Sequence, residues 1–79
     1  MKLVLIEWDD AVSDQSGWKD LEKVKKQRPE RCKSVGFLVA HTKTHMTLAA
    51  SIVNGHCDGD VTIPIGMVRK VTELCPKPR

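Results

Sequence analysis

Ser34 to Val53 reads SVGFLVAHTKTHMTLAASIV. Apolar residues recur with period two on both sides of the polar stretch HTKTH. Val35, Phe37 and Val39 share one face, with Gly36, Leu38 and Ala40 on the other. Met46, Leu48, Ala50 and Ile52 alternate with Thr47, Ala49, Ser51 and Val53. Successive side chains of a strand point to opposite faces. Both halves therefore read as strands, and HTKTH joins them as a hairpin. Gly36 fits a position where a strand bends sharply or meets another backbone closely.

The same reasoning extends outward. KLVLIEW at 2–8 is a strand whose Val4, Ile6 and Trp8 face looks the better buried. VTIPI at 61–65 is a strand, and Pro64, lacking an amide proton, belongs at an edge or strand end. Gly66-Met67-Val68 makes one tight turn of 3₁₀ type, and Arg69 to Leu74 is a last strand. Asn54-Gly55 and Asp58-Gly59 are turn signals, which predicts a loop over 54–60. Residues 9–16 are a polar loop. Ser16 is placed to cap a short helix from Gly17 to about Gln27, with Trp18, Leu21 and Val24 on one stripe and Pro29 as the stop. The expected fold is mainly β: a small five-stranded SH3-like or Sm-like barrel with one short helix in the first long connection. Residues 1–75 form a single domain, and 76–79 are expected to be a frayed tail.

Seventy-nine residues make one domain near the lower limit for a self-sufficient core. Hydrophobic residues at 41% and charged residues at 29% mark a globular chain rather than a disordered one. The odd count of three cysteines, Cys32, Cys57 and Cys75, argues against a disulfide framework and for a reducing compartment. The apolar run near the N-terminus is too short for a signal-peptide core or a membrane span, so no membrane partner is expected.

Charge is mild in total, +3 with a pI near 8.9, but uneven. Glu7, Asp9, Asp10 and Asp14 precede a run holding seven of the 13 basic residues, Lys19, Lys23, Lys25, Lys26, Arg28, Arg31 and Lys33. Such runs usually face water. Trp8 and Trp18 flank the acidic stretch. Their first reading is core or barrel-end packing; their second is a contact hot spot. The candidate partner-binding residues are accordingly Trp8, Asp9, Asp10, Asp14, Trp18, Lys23, Lys25, Lys26, Arg28 and Arg31.

Metal ligands are sought among His41, His45, His56, Cys57, Asp58, Asp60, Cys32 and Cys75. Zinc takes four nitrogen or sulfur ligands, commonly in close pairs. His41 and His45 stand four apart in a hairpin connection, and HCDGD at 56–60 lacks the further oxygens of a calcium loop. The expectation is no metal and no cofactor. No phosphate loop, nucleophile elbow or supported Cys-His arrangement is present. A barrel this small is filled by its own side chains, so no enzyme is expected.

WDDA (Trp8 to Ala11) with GW (Gly17-Trp18), CKSVGFLVA (Cys32 to Ala40) and TIPIGMVRKVTEL (Thr62 to Leu74) resemble a group of small uncharacterised proteins of tailed bacteriophages. The resemblance covers most of the chain, through strand ends and turns rather than catalytic motifs. It implies a compact SH3-like barrel and a phage or prophage gene acting in a bacterial cytoplasm. Small phage proteins of this kind often bind a host component, nucleic acid or a signalling nucleotide. The expected function is thus a non-enzymatic accessory protein that binds and inhibits or redirects a host macromolecule, first of all a protein. The alternative is an oligomeric small barrel that binds a nucleotide or nucleic acid.

Overall fold

The computed structural model describes residues 1–75. Five antiparallel strands form one sheet: β1 (Leu3–Asp10), β2 (Glu30–His41), β3 (His45–Val53), β4 (His56–Pro64) and β5 (Val68–Leu74). Their order across the sheet is β4-β3-β2-β1-β5. A helix α1 (Leu21–Lys25) lies in the first connection, and a 3₁₀ turn (Ile65–Met67) links β4 to β5. The sheet is open. β4 and β5 are its two edges, and no ladder joins them where a closed barrel would need one.

The sheet curls over one face. Val4 and Ile6 of β1 cluster with Met46 and Leu48 of β3 and Ile63 of β4. In a flat sheet β1 and β4, three strands apart, would be separated by about 14 Å. Trp8, Leu38, Val61, Ile65, Met67 and Val68 pack around that cluster. The face expected for β1 is the buried one.

β2 is the corner of the curl. Its first part pairs with β1 from Glu30 to Phe37, and its last part pairs with β3 from Phe37 to His41. Gly36 sits at the handover. A Cβ there would lie 2.8 Å from the Ala49 carbonyl oxygen and 3.2 Å from Leu48 Cβ. Only glycine lets the two backbones approach this closely.

Several boundaries move. β1 runs on through Asp9 and Asp10 into the polar loop expected over 9–16, and β2 begins at Glu30, ahead of the alternation that starts at Ser34. The loop expected over 54–60 shrinks to Asn54-Gly55, with φ of 47° and 74°. Positive φ at both central residues is the two-residue turn that matches strand twist. β4 starts at His56, and it keeps one register with β3 from Val53↔His56 to His45↔Pro64, skipping only the pair Ala50 and Gly59, where Gly59 has φ of 66°. The helix is also shorter than expected. It begins at Leu21, and Asp20 rather than Ser16 caps it, accepting the Glu22 amide proton at 3.1 Å. Gly17 has φ of 137°, outside the helical range. The expected tail at 76–79 lies outside the described residues.

Candidate functional site

Residues 11–29 leave the sheet between β1 and β2 as an arm, and every one of them is exposed. Among the described residues, no hydrogen bond or ion pair ties the arm to the sheet. Its internal ties are local. Asp14 accepts the Ser16 amide proton at 2.9 Å and pairs with Lys19. Lys25 pairs with Glu22 at 3.1 Å. The Lys19 ammonium, then Ser16, hold the Asp14 carboxyl down to about 2. Asp14 therefore keeps its charge, and its turn, throughout the physiological range.

The arm carries the least expected residue of the molecule. Trp18 is 106% exposed, as open as an isolated side chain. Its reading as core or barrel-end packing is overturned, and the expected stripe of Trp18, Leu21 and Val24 does not form as one helix face, because α1 starts at Leu21 and leaves Trp18 outside it. Leu21 is 72% exposed. Trp18, Lys19, Asp20, Lys23, Val24 and Gln27 line a shallow groove of about 410 Å³. Lys23, Lys26 and Arg28 have no acidic partner among the described residues. An exposed indole beside unpaired cations can stack, insert into an apolar pocket, or meet carboxylates or phosphates.

The other sequence candidates divide. Trp8 is half-buried against the core, and its indole N–H donates to Ser34 Oγ at 3.0 Å. Asp9 accepts from Arg31 Nε at 2.6 Å and from Arg69 Nε at 2.5 Å, and its side chain is 18% exposed. The hydrogen bond from Arg69, then that from Arg31, lowers the Asp9 carboxyl from its ordinary value. This clamp joins β1, β2 and β5 at the base of the arm. Trp8, Asp9 and Arg31 thus have structural partners of their own. Asp10 is exposed opposite Glu30, and Lys25 is engaged with Glu22. Trp18 and Lys23 line the same groove of the arm, and Lys26 and Arg28 follow on the same arm.

Two of the three histidines, His45 and His56, have local partners. His45 Nδ1 lies 2.8 Å from Thr44 Oγ1, and His56 Nδ1 lies 2.9 Å from the Asn54 carbonyl oxygen. Among the described residues no three His, Cys, Asp or Glu side chains gather as a metal site. Cys32, Cys57 and Cys75 are unbridged thiols. No helix among the described residues is long and apolar enough to cross a membrane.

A second apolar site was not visible in the sequence. Met1, Val39, Ile52, Gly55, His56 and Cys57 line a cleft of about 150 Å³ at the far end of β1 from the arm. Its members come from the N-terminus, β2 and the β3–β4 hairpin, so only the fold assembles them.

The chain matches no protein-family model, no curated protein and no solved structure. Its class rests on its own geometry: a small curled antiparallel sheet that extrudes an arm with an exposed tryptophan.

Proposed function

We propose that the chain is a non-enzymatic, phage-type accessory protein that grips a host macromolecule, a protein, through the arm and so inhibits or redirects it. The exposure of Trp18 carries this reading. Leaving an indole in water forgoes its large burial gain, and hot spots are enriched in tryptophan and arginine. The unpaired cations beside it would orient the encounter with an acidic partner. The two carboxyls with shifted protonation, Asp9 and Asp14, are both accounted for by ion pairs. That favours binding over catalysis. The resemblance to small phage proteins supplies the context, a bacterial host cytoplasm. We also take the strand order, the cornered β2 and the 3₁₀ turn before β5 as an opened variant of an SH3-like barrel.

The test is capture from bacterial lysate on immobilised protein. Wild type should retain a discrete host protein, and Trp18→Ala should lose it while its β-sheet circular dichroism stays unchanged. Equal retention by both would sink the reading.

A second reading has its own observation. Trp18 lines its groove with Lys19 and Lys23, and an aromatic beside cations is a stacking platform for single-stranded nucleic acid. This reading requires binding of a single-stranded oligonucleotide that weakens steeply with salt and vanishes in Trp18→Ala.

A further inference from the structure

The molecule is extended for its size. Its radius of gyration is 16.4 Å and its extents are 52 × 27 × 27 Å. A compact domain of this length has a radius of about 12 Å. It exposes 6693 Å², against the roughly 4,800 Å² of a compact chain of 8.8 kDa. The excess, roughly 1,900 Å², exceeds the about 800 Å² per partner that a specific interface takes.

Two apolar surfaces are exposed. The arm presents Trp18, Leu21 and Val24 beside its shallow groove. The cleft around Val39, Ile52 and Cys57 is concave. They lie toward opposite ends of β1, whose eight residues span about 26 Å. Their charges also match. Lys23, Lys26 and Arg28 of the arm lack acidic partners among the described residues. Asp58 and Asp60, which follow Cys57 on β4, lack cationic ones. β4 is an edge strand, so a segment lying along it reaches side chains on both of its faces.

We propose that a second copy of this chain covers the arm. Two molecules lie antiparallel, each seating Trp18 in the cleft at the Met1 end of the other. The contact is reciprocal, so a twofold axis closes it and no surface is left to propagate. Lys23, Lys26 and Arg28 meet Asp58 and Asp60 of the other copy. The dimer rests on the same arm as the proposed host-binding surface and regulates it: the arm is masked until the copies part.

Charge exchange tests this. Sedimentation equilibrium, in reductant so that thiols do not cross-link, is run on five samples. Wild type should show twice the 8.8 kDa chain mass at micromolar concentration. K23E/K26E/R28E and D58K/D60K should each sediment as monomers with unchanged β-sheet circular dichroism. Mixed in equal amounts they should recover a one-to-one dimer, because both contacts in the mixed pair are again complementary. Trp18→Ala, whose side chain touches nothing that holds the fold, should also be monomeric. A monomeric wild type, dimeric single variants or a mixture that stays monomeric would each overturn the proposal. D58K/D60K keeps its arm intact. If it is monomeric and still captures a host protein, both readings stand; if it is monomeric and captures nothing, only the host reading falls.

Discussion

Asp9 shows how much one side chain can hold in a sheet this small. Its two oxygens take Arg31 and Arg69 from strands on either side of β1. Its folded carboxyl titrates below the ordinary value of 3.8. The clamp's contribution to stability is thus fully present above that pH and is lost as pH falls through the lower folded value. Asp9→Asn should lower the thermal midpoint at neutral pH, because two guanidiniums then face each other without a carboxylate. It should also flatten the fall in midpoint on acidification, which a pH series of thermal melts would reveal. Gly36 is constrained by space instead. Gly36→Ala drives a methyl into the Ala49 carbonyl, which is backbone and cannot swing aside. A loss of about 1–3 kcal/mol is expected, as for overpacking, read from the denaturant midpoint.

The elements differ in what supports them. α1 has five residues, far fewer than the roughly 12–15 at which an isolated helix is even marginal. Only its Asp20 cap and the Glu22–Lys25 pair sustain it. Asp20→Ala should remove about 0.5–2 kcal/mol from that helix. In protein dilute enough to be monomeric, amide exchange in 21–25 should then accelerate while the global melting midpoint stays put. A shifted global midpoint would mean that the arm packs on the sheet. The β3–β4 hairpin is sustained differently, by a long ladder in a single register and the Asn54-Gly55 turn. Asn54→Val should weaken it, since a β-branched residue resists positive φ.

The whole molecule rests on a thin core. Among the described residues six hydrophobic ones are buried, and the largest are Ile6, Met46, Leu48 and Ile63. A core of this scale supplies roughly 3–5 kcal/mol, and truncating a buried isoleucine to alanine costs about 2–5 kcal/mol. Ile6→Ala should therefore leave much of the chain unfolded at room temperature, visible as lost circular dichroism. Covering the arm would add stability through association. The melting temperature of wild type should then rise with protein concentration, and that of D58K/D60K should not.

Much of this architecture could be read along the chain. Strand faces alternate locally, so Val4 and Ile6 announced their burial, and Gly36 announced a close approach. Asn54-Gly55 announced a turn for the same reason: positive φ is a property of single residues. His56 to Asp60 did not announce a strand. HCDGD carries no apolar alternation, and what makes it β is backbone pairing to β3, which is blind to side chains. The clamp was equally hidden. Arg31 and Arg69 lie 22 and 60 residues from Asp9, and Ser34 lies 26 from Trp8. Periodicity groups residues on a stripe only where one helix runs, so it joined Trp18 to Leu21 and Val24 although α1 starts at Leu21, and it could not show that all three are exposed. The apolar cleft and the open edges of β4 and β5 likewise depend on how far the sheet curls. That curl is set by side chains from β1, β3 and β4 meeting across strands that the chain order keeps apart.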